Sequence, residues 1–176
     1  MADLLPEKWM KAMAVTTTVL GVVASIASSR SSFYITKAQL LTALEGSQWA
    51  YYQAKSIKQD LFTSQRNAEL VELQGALTPA QKNLLNQTIQ QFTSDIARYD
   101  QEKADIKKQA EDINKQNAQV VHRGSQFSLA VVFAQIGIML SSVGLLLKQE
   151  KLWYVGIIFG LISLLYLANG FLLFLK

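Results

Sequence analysis

Residues Gln126 to Leu175 read QFSLAVVFAQIGIMLSSVGLLL, then KQEK, then LWYVGIIFGLISLLYLANGFLLFL. Neither apolar run contains a charge. At ~1.5 Å per helical residue, ~20 residues cross a hydrocarbon core ~30 Å thick, and both 126–147 and 152–175 have that length. The joint Lys148-Gln149-Glu150-Lys151 leaves room only for a tight antiparallel turn. Trp153 and Tyr154 fall at an expected bilayer edge, where amphipathic rings concentrate. The stretch 126–176 therefore predicts a transmembrane helical hairpin.

A third apolar segment lies near the N-terminus. Residues Ala12 to Ser29, AMAVTTTVLGVVASIASS, carry no charge before Arg30, and Trp9 marks the edge. A signal peptide has a comparable layout, but this run is long for one and no A-x-A site follows. It is read as a retained first span, with 1–29 as the N-terminal segment. Its Thr and Ser content suits packing against other helices. The basic residues near the spans tilt only slightly toward a cytosolic N-terminus, and the orientation stays open.

Composition agrees with several spans: 50% of residues are hydrophobic and 17% charged. Net charge is +4, from 17 basic and 13 acidic side chains without a Lys/Arg cluster, so no nucleic-acid footprint is present. A mild attraction to anionic lipid accounts for the excess. With no cysteine, disulfides, zinc–thiolate sites and thiol nucleophiles are excluded.

Between the first two spans lies 30–125, with one strong breaker at 75–79. Gly75 is suited to end a helix in the left-handed conformation. Thr78, Pro79 and Gln81 then read as N-cap, first helical residue and capping-box partner. In the second arm, Leu85, Ile89, Phe92, Ile96, Tyr99, Lys103, Ile106, Ala110, Ile113, Asn117 and Val120 form a heptad seam. In the first arm, Ala43, Ser47, Ala50, Ala54, Ile57, Leu61, Ser64, Ala68 and Val71 form a row of smaller residues at the same spacings. The expectation is that these two rows zip together. The fold class is thus an all-α membrane protein, with three transmembrane helices and a long antiparallel helical hairpin (a coiled coil) between the first and second.

That pairing leaves a second face of the first arm uncovered. Leu41, Leu44, Tyr52 and Phe62, with Trp49 at the border, are expected to meet another copy of the chain. Within the spans, Thr17, Gly21 and Ser28 form a small or weakly polar stripe, and Gln135 stands near mid-bilayer on the face of Ser128 and Ser142. A buried amide must find a partner or water. These residues are candidates for helix packing, supported by Gly156-x-x-x-Gly160, or for the lining of a pore.

No catalytic, cofactor or metal site can be drawn. His122 stands alone beside Arg123, without ligand partners at helical spacing. The acidic residues have neighbouring bases, as in Glu102–Lys103 and Glu111–Lys115, and read as a solvated surface. The expectation is a non-enzymatic, homo-oligomeric membrane protein with a scaffolding or partner-docking role, bound to lipid and to itself. The alternatives are a homo-oligomeric ion channel with first-span helices around the axis, or an accessory subunit of another membrane protein.

The block Trp49-Ala50-Tyr51-Tyr52-Gln53-Ala54-Lys55-Ser56-Ile57-Lys58, set after an N-terminal span and before a terminal pair of spans, resembles domain-of-unknown-function family 4337. The resemblance implies a multi-pass protein of the bacterial inner membrane and no activity to carry over. On a helix, Trp49, Gln53 and Ser56 share one stripe and Tyr52, Lys55 and Gln59 the next. The block reads as a contact between subunits, or else as a polar–aromatic recognition patch.

Overall fold

Both prolines of the chain stand at the first residue of a helix, where a missing N–H removes no hydrogen bond. The computed structural model describes residues 6–173. It contains α1 (Pro6–Glu72), α2 (Pro79–Leu147) and α3 (Glu150–Leu172), and no strand among the described residues. Each helix contains a stretch long and apolar enough to cross a membrane, the α1 stretch being the least apolar of the three. Helix α1 runs without a break through Arg30.

The helix ends have local causes. At the start of α2, the Gln81 N–H donates to Thr78 Oγ1 at 3.4 Å, and the Thr78 N–H donates to Gln81 Oε1 at 2.9 Å. This reciprocal capping box satisfies two orphan donors of the first turn. The end of α1 departs from expectation, because Gly75 does not take a positive φ. The chain tightens instead, with Gln74 N–H to Val71 O (3.1 Å) and Gly75 N–H to Glu72 O (3.0 Å). Those i→i−3 bonds occupy the last carbonyls, so no left-handed residue is needed. The left-handed residues are Leu173, at φ 51°, after α3, and Lys148, at φ 54°, after α2. There the Gln149 N–H reaches back to Gly144 O at 2.9 Å, closing the helix before α3 begins.

Two compact units result, Met1–Gln39 with Asn117–Lys176, and Leu40–Gln116. In the first, Met13, Leu20 and Ala27 of α1 and Phe127, Ala130 and Ala134 of α2 are buried. Glycine permits the closest approach. A Cβ on Gly156 would stand 2.9 Å from Gly137 O and 2.7 Å from Ser141 Oγ, so α2 and α3 meet backbone to backbone. Two inward polar side chains are bonded, Ser163 Oγ donating to Ala130 O (2.7 Å) and Asn169 Nδ2 to Gln126 Oε1 (3.0 Å), whereas the buried Ser141 hydroxyl has no partner among the described residues. Ser31 and Ser128 hydroxyls meet at 2.7 Å.

In the second unit the contacts between α1 and α2 pair rising numbers with falling ones. Asn114 Nδ2 donates to Glu45 Oε1 (3.1 Å), Gln59 Nε2 donates to Ile96 O (3.2 Å), and Phe62 stacks on Tyr99 with 5.7 Å between ring centroids. On α2 the contact row is the expected one: Tyr99, Ile106 and Ala110 are buried, and Leu85, Ile89, Phe92, Ile96 and Ile113 half-buried.

On α1 the expected row is on the wrong side. Ala43, Ser47, Ala50, Ala54, Ile57, Leu61, Ser64, Ala68 and Val71 are all exposed. The residues turned toward α2 are Leu41, Glu45, Gln48, Tyr52, Lys55, Gln59, Phe62, Arg66, Glu69 and Leu73, which alternate by the same fours and threes. The physical reason is the length of these side chains. Lys, Arg, Gln and Glu lay their methylene stems along an apolar neighbour and keep their polar heads at the edge, so a row with four charges can still face Ile, Phe and Tyr.

Candidate interaction surface

The centre of the Leu40–Gln116 unit is a polar–aromatic knot. Lys55 Nζ contacts Glu102 Oε2 at 2.5 Å, and Arg98 Nε approaches Glu102 Oε1 at 3.5 Å. The Lys55 ammonium also lies 5.2 Å from the ring centroids of both Tyr51 and Tyr99, within cation–π reach. The hydrogen bond to Glu102 raises the Lys55 pKa above its usual 10.5. The hydrogen bond from Lys55 holds Glu102 below its usual 4.5, with the charges of Lys55, Arg98 and Lys58 adding to it. Lys103 Nζ lies 5.7 Å from the Tyr52 ring and pairs with Asp100 at 3.7 Å. These fixed pairs at seam positions can set the register between the helices. The neighbour pairs expected from sequence are replaced: Glu102 binds Lys55 rather than Lys103, and Lys115 takes Asp112 at 3.6 Å rather than Glu111.

The residues singled out for contact between copies divide. Leu41 is buried and Tyr52 and Phe62 half-buried, all turned toward α2, Phe62 also touching Phe92 at 5.7 Å between centroids. Leu44 and Trp49 are exposed, and the Trp49 Nε1–H donates to Glu45 Oε1 at 3.5 Å. The WAYYQAKSIK block is therefore split. Tyr52 and Lys55, followed by Gln59 just past the block, face α2, while Trp49, Gln53 and Ile57 are exposed, as is Tyr51 although its ring meets the Lys55 ammonium. Gln59, 8% exposed and bonded to the Ile96 carbonyl, is a contact that hydrophobic periodicity passes over.

The surface left uncovered is the small-residue row itself. With Leu40 it runs to Val71, ten positions without one charge, and includes Leu40 (60% exposed), Ile57 (69%), Leu61 (54%) and Val71 (69%). The outward side of α2 in this unit is of the opposite character from Arg98 onward, where Arg98, Asp100, Asp105, Lys107, Lys108, Glu111, Asp112 and Lys115 are exposed; from Pro79 to Ala97 its exposed positions carry one charge, Lys82.

In the other unit, Thr17 and Gly21 are half-buried and Ser28 and Gln135 exposed. Thr17 Oγ1 donates to Met13 O at 2.9 Å, and the space beside Gly21 is open. An open, mostly apolar groove of about 510 Å³ between α1 and α2 is lined by Met13, Ala14, Thr17 and Thr18 on one side and Ser141, Ser142, Leu145 and Leu146 on the other. Gly156 and Gly160 are buried, a Cβ on Gly160 falling 2.7 Å from Leu20 Cδ2. His122 is exposed. Among the described residues, no three His, Asp or Glu side chains group to hold a metal.

These features define an all-helical protein with three helices apolar and long enough to span a bilayer, and a helical unit in which an uncharged row of α1 is bare, flanked by Lys58 and Asp60. The chain belongs to the family described as Domain of unknown function (DUF4337), whose model matches residues 9–173. No curated protein and no solved structure matches it.

Proposed function

We propose that the chain is a non-enzymatic, homo-oligomeric integral membrane protein. Three spans anchor an antiparallel hairpin whose self-assembled bundle serves as a scaffold or a docking site for a partner. Helix α3, with 23 residues, reaches ~35 Å at helical rise, sufficient for a ~30 Å core. The observation that carries the reading is the inversion in the Leu40–Gln116 unit. Charges stand where the two helices of one chain meet, while ten uncharged positions of α1 face outward. In water a lone hairpin would be patterned the other way, and an apolar strip of that length marks an interaction surface.

The test is the pair Ile57→Glu and Leu61→Glu, with native mass measured on the detergent-purified particle. The expected result is dissociation to monomer with helicity retained. An unchanged mass overturns the proposal. A second reading, a channel, draws on the four hydroxyl residues among the lining of the groove and on the exposed Gln135. It requires ion flux in liposomes that changes when Gly21 is enlarged, and silent bilayers reject it.

A further inference from the structure

Gln135 lies on a span, outward, with no hydrogen-bond partner on its own chain. It stands nine residues after Gln126 and twelve before Leu147, so about 14 and 18 Å of helix separate it from the two ends of the run. Its neighbours on the surface are Val132 and Met139, both exposed. The other outward polar side chains near that depth have a local solution. Thr18 Oγ1 donates to Ala14 O (2.9 Å), Ser25 Oγ to Gly21 O (2.9 Å) and Ser142 Oγ to Ile138 O (2.8 Å). A glutamine has no such return to its own helix carbonyl, and an unpaired amide against hydrocarbon costs several kcal/mol.

The groove supplies the direction. Ser142 and Thr18 line it from α2 and α1. Gln135 is seven residues before Ser142, and Ser25 seven after Thr18, so each continues the same helix face by two turns. Since α1 and α2 contacts there pair rising with falling numbers, Leu20 beside Gly137 and Ser31 with Ser128, Ser25 and Gln135 stand at one level beyond the end of the groove, on the same side of the two helices. Between them on α1 sits Gly21, with nothing near the place of its absent Cβ. Helix α3 offers the contrast: from Val155 to Leu172 its exposed side chains are hydrocarbon, and its Ser163 and Asn169 are buried and bonded.

We infer that the groove side of α1 and α2 is the contact between two copies of the chain inside the bilayer, with Gln135 hydrogen-bonding to Gln135 or Ser25 of the second copy. The inference rests on the self-assembly proposed above. The second copy is the occupant because the groove face is complementary to itself. An amide offers both donors and an acceptor, the bonded hydroxyls keep acceptor lone pairs free, and Gly21 lets a facing helix come close. The hydrocarbon face of α3 is left for lipid.

The chain has no cysteine, so an introduced thiol is the only one present. Gln135→Cys alone, and Gln135→Cys combined with Ser25→Cys, are oxidised in native membranes, with Leu161→Cys on α3 as control. The expected result is a disulfide-linked dimer from at least one of the first two and none from the control. Gln135→Leu is expected to weaken association roughly 3- to 20-fold in a detergent-dilution series. Equal or better linkage by Leu161→Cys, or an unchanged dilution curve for Gln135→Leu, overturns the inference. So does rapid reaction of the Gln135→Cys thiol with a charged, membrane-impermeant reagent, which would place water there and turn attention to the channel. If these results fail while native mass still exceeds the monomer and falls with Ile57→Glu and Leu61→Glu, only the groove contact is lost. A monomer in every measurement removes both readings.

Discussion

Helices α1 and α2 build both units, yet they change character differently between them. In the apolar unit both turn mostly hydrocarbon outward, with Thr18, Ser25, Gln135 and Ser142 as polar exceptions, while Ser31 and Ser128 meet inside. In the Leu40–Gln116 unit α2 exchanges that coat for charges from Arg98 to Lys115, whereas α1 keeps an uncharged outer row from Leu40 to Val71. Under the assembly proposed above, lipid covers the apolar unit and a second copy covers the outer row of α1 beyond it.

The sharpest test uses two adjacent residues of α1 that face opposite ways. Phe62 contacts Tyr99 and Phe92 across the seam, and Leu61 is exposed beside it. Phe62→Ala is expected to lower the stability of the hairpin by about 2 kcal/mol, less than a fully buried Phe because the site is half open. Thermal unfolding followed by helical circular dichroism reads this as a clear drop in Tm. Leu61→Ala is expected to leave that transition nearly unchanged in the dissociated protein, while reducing native mass at low concentration. Equal effects of the two on the monomer would erase the distinction between an inner and an outer face.

The seam of α2 was legible because its residues are large and apolar at regular fours and threes. The opposing row of α1 was not, for a reason in the residues themselves. Glu45, Lys55, Arg66 and Glu69 occupy it, and a search for uncharged periodicity passes over such a row in favour of Ala43 to Val71. Both rows have the same period, since faces of one helix share it, so spacing could not choose between them. A physical signal was present nonetheless: Tyr52, Lys55 and Gln59 have the reach to meet Lys103, Glu102 and the Ile96 carbonyl across the seam, which alanines lack. Gln135 was legible as an amide at mid-span, but its outward aim depends on where α1 and α3 pack.

The Lys55–Glu102 pair gives an effect smaller than loss of Phe62, and one that depends on pH. Glu102 has its pKa lowered in the folded chain, so its contribution is present above the usual 4.5 and is lost as pH falls through the lower folded value. Lys55 has its pKa raised, so its contribution is present below the usual 10.5 and is lost as pH rises through the higher folded value. The pair therefore supports the seam on a plateau between those limits. Tm measured across acid pH is expected to fall below the plateau in the native chain. In Glu102→Gln the component of that fall due to this carboxylate is absent and the plateau is lower. Superimposable profiles would mean that solvent screening leaves the pair without net effect on stability.

The least effect is expected where the apolar unit hides a hydroxyl. Ser163 Oγ donates to Ala130 O at 2.7 Å, between α3 and α2. The carbonyl of Ala130 sits within α2, so it retains its helical partner when the hydroxyl is removed, and Ser163→Ala strands no acceptor. The side chain shrinks by one oxygen, leaving little void. Interhelical hydrogen bonds of this kind average ~0.6 kcal/mol in membranes, and a loss of about that size is expected in a reversible unfolding titration in detergent. Gly156→Val at the same α2–α3 contact is expected to cost far more, because its Cβ would stand 2.9 Å from the Gly137 carbonyl. If Ser163→Ala proved the more damaging of the two, hydrogen bonding rather than close backbone approach would hold α3 in place. The inward turn of polar groups would then be a source of cohesion in the apolar unit, beyond keeping them out of lipid.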